Sequence, residues 1–200
     1  REEVSDADVT IANLEVTLAG KPYTSYPQFS SPDALALACK NAGIDILVTA
    51  NNHSLDKGTK GLNRTIDMLD SFGIAHTGTF KRFKERDSLN LLIIKKNNIR
   101  VGLLNYTYGT NGLKVPKPAY VNRLQYDLLK GDLAKAKKRN LDKIIVFVHW
   151  GTQYKHNPSK YQLDVEKLLY KHGADIVIGS HPHVLQKMVH QKAKGKTPER

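Results

Sequence analysis

Cysteine is nearly absent from the chain: Cys39 is the only one among 200 residues, beside a single tryptophan and two methionines. An intramolecular disulfide is therefore excluded, which fits a reducing compartment or an exported protein that folds without disulfides. No apolar run reaches the roughly 18 residues that a membrane-spanning helix needs. The sequence also shows no signal peptide and no internal repeat, although it begins at Arg1 without an initiator methionine.

The remaining composition is typical of a globular protein. Hydrophobic residues make up 40% of the chain and charged residues 25%. Two hundred residues are enough for one domain with a sizeable core. We therefore expect a single domain over residues 1–190, followed by a solvated basic tail over residues 191–200.

Positive charge is in excess, with a formal net charge of +12 at pH 7. Such an excess attracts polyanions, although part of it is what any lysine-rich surface carries. No nucleic-acid-binding module is recognisable, so we expect an anionic polymer or a phosphorylated substrate as the partner rather than nucleic acid. Most of the charge lies in three clusters, at residues 81–100, 130–143 and 187–200.

Apolar runs alternate with segments of helical periodicity, which indicates a layered α/β domain. The pair Asn97-Asn98 between two apolar runs is typical of a hairpin turn, so we expect mixed sheets. Residues 106–121 show no periodicity and are expected to form a loop. Helices are predicted over 31–43 with Ser31 as the cap, and over 60–73, 127–139 and 157–173. Strands are predicted at 9–12, 44–49, 74–77, 89–94, 100–105, 144–148, 175–178 and 184–189.

Two helix faces are expected to point into the core because of their apolar spacing. The first helix is expected to bury Leu35, Ala38, Cys39 and Ala42. The last helix is expected to bury Tyr161, Val165, Leu168 and Leu169.

Four short segments carry the residue types that bind metals. They are Asn13-Leu14-Glu15, Asn51-Asn52-His53, His149-Trp150-Gly151 and His181-Pro182-His183, and three of them directly follow an apolar run. Strand ends are where open α/β sheets place their sites. Imidazole, carboxylate and amide oxygen together suit divalent metals, so a metal-dependent site is the leading hypothesis.

Each segment also has a simpler interpretation. An asparagine before a helix is often only a cap, a histidine that ends a buried strand is as often a core group, and Glu15 could be merely solvated. The most specific segment is His181-Pro182-His183, because the proline lets two histidines turn toward one cavity. The other histidines are expected to have no role in the site: His76, His156, His172 and His190.

The order of these segments resembles that of the calcineurin-like metallophosphoesterases, and the details resemble the bacterial capsule-synthesis branch of CapA/PgsA type, associated with poly-γ-glutamate. The resemblance covers about residues 8–186. It implies an α/β fold, a layered α-β-β-α sandwich with mixed sheets. The motifs that carry it are Ala12-Asn13-Leu14-Glu15, Ala50-Asn51-Asn52-His53 with Asp56 and Gly58, His149-Trp150-Gly151 with Tyr154, and Gly173-Ala174-Asp175 leading to Gly179 and His181-Pro182-His183-Val184-Leu185.

The resemblance also implies roles for individual residues. Glu15 would bridge two divalent metals, of which Mn, Fe or Zn is expected. One metal site would be completed by Asn52, His149 and His181, and His183 would belong to the other. A catalytic pair would be formed by His53, beside the substrate as general acid or phosphate-polarising group, and Asp56, which would orient it.

Two expected motifs of the family are not in this sequence: a Gly-Asp strand end before Arg1 and a Tyr-Ser-Leu-Gly-Asn-Phe stretch after the last histidine motif. The fold is therefore expected to be truncated at both ends, with one metal bound better than the other. The first hypothesis is a metal-dependent hydrolase-like domain in capsule or anionic polymer synthesis, in a membrane-anchored complex of the cell envelope. The alternatives are a non-enzymatic polymer-binding module and, third, an intracellular phosphodiesterase.

Overall fold

The computed structural model describes residues 6–190, which contain five helices and nine strands. The expected basic tail, residues 191–200, lies outside the described residues. The helices are α1 (Ala34–Asn41), α2 (Gly58–Ser71), α3 (Phe83–Leu89), α4 (Tyr126–Lys137) and α5 (Lys160–His172). The strands are β1 (Ile11–Asn13), β2 (Ile46–Val48), β3 (Ala75–Thr77), β4 (Thr79–Phe80), β5 (Leu92–Lys96), β6 (Ile99–Thr107), β7 (Tyr120–Val121), β8 (Lys143–His149) and β9 (Ile176–Ser180).

The described strands form three sheets. The first has the order β1-β2-β3 and is parallel throughout. The second has the order β5-β6-β8-β9, and only β5 runs antiparallel to its neighbour. The third is the short antiparallel pair β4-β7. The mixed character expected from the Asn97-Asn98 hairpin is therefore confirmed, and both asparagines have the positive φ that such a turn requires.

The first two sheets pack face to face, because side chains alternate sides along each strand. On β2, Ile46 and Val48 face a cluster that includes Leu103 of β6 and Phe147 of β8. Leu47, between them, faces the opposite side and packs in a separate cluster. The core between the sheets is thus aliphatic and aromatic, and it fixes one sheet against the other.

Helices cover the two outer faces. Ala36 of α1 and Leu69 of α2 pack with Leu47 on the first sheet. The second sheet buries its outer side chains against α4 and α5, in a cluster of Leu104, Tyr106, Leu129, Leu133, Ala136, Ile144, Val146, Val148, Val165 and Leu169. The predicted layered α/β sandwich is therefore confirmed. None of the helices within residues 6–190 has the length and hydropathy that a bilayer crossing requires.

Several local predictions were wrong. The first helix begins after Asp33 rather than at Ser31, and it buries Ala36 while Leu35 is exposed. Tyr161 lies on the outer side of α5, whose buried residues are Gln162, Val165 and Leu169. Residues 184–189 form no strand, and α3, β4 and β7 were not predicted. The elements that were not predicted are short, and in such segments packing partners distant in sequence outweigh local propensity.

One polar side chain joins the two sheets at the edge where β2 and β6 end. Asn105 Oδ1 accepts a hydrogen bond from Ala50 N at 2.7 Å, and Asn105 Nδ2 donates to Phe147 O at 3.2 Å. The backbone approaches closely here: a Cβ on Gly78, which has a φ of +117°, would lie 2.6 Å from Ala50 N. The alignment of the two sheets at this edge therefore depends on Asn105 and on the absence of a side chain at Gly78.

We predict that Gly78→Ala destabilises the protein by about 2 kcal/mol or more, because a side chain would be strained at that φ and would collide with Ala50 and Asn105. Urea unfolding followed by circular dichroism measures the change. Gly131→Ala is the matched control, since Gly131 lies within α4 with nothing within 4 Å of its Cβ position. The control should be neutral or stabilising by about 0.5–1 kcal/mol. Equal effects of the two substitutions would contradict the prediction.

Candidate metal centre

The four segments predicted to bind metal meet at one edge of the sandwich. Each follows or ends a parallel strand: β1 precedes Glu15, β2 precedes Asn52, β8 ends at His149, and β9 precedes His181. Side chains link the two sheets there, since Asn52 and Glu15 of the first sheet both approach His149 of the second. The structure therefore brings Glu15, Asn52, His149 and His181 together, and their roles as ligands stay a prediction.

The loops after β1 and β2 are held to each other by Asn51. Its Nδ2 donates to Leu14 O at 2.7 Å and to Asn13 Oδ1 at 3.2 Å. Its Oδ1 accepts from His53 N at 3.0 Å. This buried asparagine therefore fixes the backbone on both sides of the site, which explains why the Asn51-Asn52-His53 segment folds tightly.

Glu15 lies between the histidines. Its Oε1 is 3.5 Å from His149 Nε2 and 3.8 Å from His183 Nε2, and its Oε2 accepts from Asn13 Nδ2 at 3.0 Å. Burial raises the pKa of Glu15, and the nearby His183 partly opposes that rise. A carboxylate in this position is stabilised by a cation, because burial otherwise disfavours its charge.

His149 is fully buried and has a polar partner at each ring nitrogen. Nδ1 lies 2.8 Å from Ser180 Oγ, and Nε2 lies 2.7 Å from Asn52 Oδ1. Burial lowers the pKa of His149 to about 3, with His181 and His183 adding to the effect. The imidazole is therefore neutral at physiological pH, which is the form that binds metals.

The His181-Pro182-His183 segment is strained. His181 has a φ of 96° and His183 a φ of 54°, in the left-handed region that residues with a Cβ rarely adopt. Because of this turn both histidines reach Glu15: one ligand atom from each of Glu15, His181 and His183 lies within 4.8 Å of the other two. Burial also lowers the pKa of His181.

These donors fit a divalent metal. His181 Nδ1 is buried without a hydrogen-bond partner, which is costly for a polar atom in a protein interior. The set of a carboxylate, imidazoles and an amide oxygen is one that Mn, Fe and Zn accept. A cluster able to hold a metal is thus present at Glu15, His181 and His183.

His53 and Asp56 form a hydrogen-bonded pair beside the metal cluster. His53 Nδ1 lies 2.7 Å from Asp56 Oδ2, which also accepts from Phe29 N at 2.8 Å. The Phe29 ring packs edge-on against His53, with ring centroids 4.7 Å apart. Asp56 therefore fixes the ring orientation of His53.

A cleft of about 580 Å³ opens beside the histidines. Within the part of the chain that the structure describes, no lysine or arginine lines it. The residues that line it are Tyr26, Pro27, Gln28, Asn52, His53, Asp56, Tyr108, Asn111, Leu113, Gly151, Thr152, Gln153 and His181. The lysines and arginines of residues 6–190 therefore lie outside this cleft.

A family model described as "Bacterial capsule synthesis protein PGA_cap" matches residues 1–196. The chain belongs to this bacterial capsule synthesis family. The resemblance predicted from the strand-end motifs is thereby confirmed.

Individual relatives agree with the family match. The chain is 33% identical over 162 residues to "Capsule biosynthesis protein CapA" of Bacillus anthracis, a match that covers 78% of this chain and 39% of that protein. It is 28% identical over 154 residues to "PGA biosynthesis protein CapA" of Bacillus subtilis (strain 168), covering 74% and 39%. The chain thus spans about two fifths of the length of these relatives.

Three side chains at the candidate metal centre were not predicted from the sequence. Tyr108 stacks on His149 and also contacts His181, with ring centroids 6.3 Å and 5.0 Å apart respectively. Asn111 accepts a hydrogen bond from Asn52. Both lie in the segment predicted to be a loop, where no periodicity marks a residue as inward-facing. Ser180 could have been found, because it directly precedes His181 at the end of β9.

We predict that the metal-free protein loses stability as pH falls below about 6.5, the ordinary pKa of histidine. The folded-state pKa of His149 is lowered to about 3, so between these values the unfolded chain binds the extra proton. The free energy of unfolding should therefore fall with pH by up to about 1.4 kcal/mol per unit for this group. Glu15, whose pKa is raised, offsets part of the loss at the acid end.

Urea unfolding in EDTA at pH 7.5, 6.5 and 5.5 measures this dependence. His149→Gln cannot take up the proton, so its slope should be smaller than that of the unsubstituted protein. Identical slopes for the two proteins would show that His149 is not held neutral by the fold.

Proposed function

We propose that this chain is a metal-dependent hydrolase-like domain that acts on a phosphoryl or related centre during synthesis of an anionic surface polymer such as poly-γ-glutamate. The observation that supports it most is the cluster of Glu15, His181 and His183, whose ligand atoms lie within 4.8 Å of one another. Asn52 and His149 adjoin this cluster. Membership of the capsule synthesis family supports the polymer and a location in the cell envelope.

One metal would be held by Glu15, Asn52, His149 and His181, and His183 would belong to a second metal site. Mn, Fe or Zn suits these ligands. A bound divalent ion supplies two things here: it polarises the substrate oxygen and lowers the pKa of a water molecule. With metal bound, Ser180 Oγ would accept a hydrogen bond from the N–H at His149 Nδ1, which leaves Nε2 without a proton and able to serve as the ligand atom.

His53 is the residue placed to handle a proton at the substrate. Its Nδ1 faces Asp56, so its Nε2 is the atom available to the cleft. Asp56 accepts a hydrogen bond from Nδ1 and therefore stabilises the tautomer that presents Nε2. In the protonated form His53 would donate from Nε2 to a leaving or phosphoryl oxygen, as a general acid does.

Outside the cleft, the surface is suited to polymer. The formal net charge is +12, and the end of α4 presents Lys137, Lys138 and Arg139 to solvent. Since no lysine or arginine among the described residues lines the cleft, the positively charged surface would attract the polymer, while the metal centre would act on a phosphoryl or related centre.

The second candidate function is a non-enzymatic polymer-binding module. The same exposed cations support it, because they would hold polymer whether or not the metal centre turns over substrate. Metal binding together with hydrolysis of a phosphodiester favours the enzyme, and polymer binding without either favours the module.

We predict that the chain binds Mn²⁺ or Zn²⁺ and that His181→Ala weakens binding at least about 10-fold, since loss of a direct ligand costs no less than loss of an outer partner. Isothermal titration calorimetry and elemental analysis after dialysis measure affinity and stoichiometry. Hydrolysis of bis(p-nitrophenyl) phosphate by the metal-loaded protein tests activity. His172→Ala, at the end of α5, is the control and should bind metal normally. Retention of full affinity in His181→Ala, or no binding by the unsubstituted chain, would contradict the proposal.

We also predict weak binding to poly-γ-glutamate that decreases steeply as salt rises, because exposed charges are screened over about 8 Å at physiological ionic strength. Replacing Lys137, Lys138 and Arg139 by glutamine should weaken binding and reduce its salt dependence. Lys160→Gln is the control, since this lysine is paired with Asp164. Fluorescence anisotropy with labelled polymer measures the affinity and its dependence on salt. Binding that is insensitive to salt, or absent at low salt, would exclude the polymer role.

A further inference from the structure

Asn111 contacts the Asn52 side chain at the cleft. Asn52 Nδ2 donates to Asn111 Oδ1 at 3.1 Å, while Asn52 Oδ1 lies 2.7 Å from His149 Nε2. The two ends of one amide therefore have different partners. We infer that Asn111 is a positioning residue that holds the Asn52 amide with its oxygen toward the metal and its nitrogen away. This inference rests on the proposed function.

The orientation of Asn52 matters because the two ends of an amide behave in opposite ways toward a cation. The carbonyl oxygen is a ligand for hard and borderline metals, whereas the NH₂ group carries two donors and cannot bind one. Rotation about χ2 of asparagine is broad, so the side chain itself does not select an orientation. The hydrogen-bond partners select it, and Asn111 is the acceptor that the NH₂ group contacts.

The backbone presents Asn111 rigidly. Asn111 has a φ of 49° and Gly112 a φ of 78°, as the central residues of a tight turn. The turn is closed by Leu113 N donating to Thr110 O at 2.9 Å and by Thr110 Oγ1 donating to Leu113 O at 2.6 Å. Its other side is tied to β8, because Tyr108 N donates to His149 O at 2.9 Å. The loop that contains Asn111 and contacts Asn52 is therefore attached to β8, the strand that ends at His149.

A purely structural role for Asn111 makes a different prediction. Asparagine and glycine are both favoured at positive φ, so the turn alone would account for the residue type. Asn111→Gly separates the two roles: it keeps the backbone conformation and removes the acceptor. Asn111→Asp keeps the acceptor oxygen and adds negative charge near the metal.

Mn²⁺ titration of the full chain by isothermal titration calorimetry tests the inference. We expect Asn111→Gly to bind Mn²⁺ about 10-fold more weakly. This is the lower end of the loss in affinity seen when a residue that hydrogen-bonds to a metal ligand is removed, and we choose it because Asn111 is exposed. Asn111→Asp should bind Mn²⁺ as tightly as the unsubstituted chain or more tightly. Asn98→Gly is the matched control: Asn98 has a φ of 63° and lies at the opposite end of β6, so its affinity should be unchanged.

The outcomes are distinguishable. Weaker binding by Asn111→Gly with rescue by Asn111→Asp supports the positioning role, provided that metal-free unfolding curves of the two variants match. Equal affinity of Asn111→Gly and the unsubstituted chain overturns this inference and leaves the metal centre intact. If Asn111→Gly and Asn111→Asp weaken Mn²⁺ binding equally, the inference is also overturned, because the acceptor oxygen that Asn111→Asp keeps would then make no difference. No Mn²⁺ binding by the unsubstituted chain overturns the proposed function and this inference together.

Discussion

The face-to-face packing of the two sheets is the constraint on which the site depends. Neither sheet positions all of the predicted ligands: Glu15 and Asn52 follow strands of the first sheet, whereas His149 ends β8 and His181 follows β9 in the second. The apolar core between the sheets brings their strand ends to one edge, and Asn105 fixes that edge by bonding to both. A small relative shift of the sheets would separate Asn52 from His149, so the stability of the sandwich and the geometry of the centre are linked.

Burial gives the centre its electrostatic character. The same desolvation that lowers the pKa of His149 raises the pKa of Glu15, and the neighbouring imidazoles further lower the pKa values of His149 and His181. A bound divalent ion would relieve both effects, because neutral imidazole binds metal ions and a cation stabilises a carboxylate. The left-handed backbone of His181 and His183 adds strain at the same point, which is typical of functional sites.

Sequence patterns predicted the framework well where segments are long or strongly marked. The Asn97-Asn98 turn, the Gly173 stop of α5 and the apolar run of β8 each have a local cause, and the structure has all three. Prediction from local sequence failed where the position of a residue is determined by contacts with segments distant in the sequence. Leu35 is exposed although its spacing resembles a core position, and the loop carrying Tyr108 and Asn111 has no pattern of its own. The roles of Glu15, Asn52, His53, Asp56, His149, His181 and His183 stay predictions.

Anomalous diffraction from crystals grown with Mn²⁺ tests the central claim most directly, because it locates the ion without reference to activity. A metal centre at the strand ends predicts a peak at bonding distance, roughly 2.0–2.2 Å, from Glu15 and from imidazole nitrogens of His149, His181 or His183. A peak bound only by surface carboxylates, or no peak at the strand ends in crystals that contain Mn²⁺ elsewhere, would contradict it.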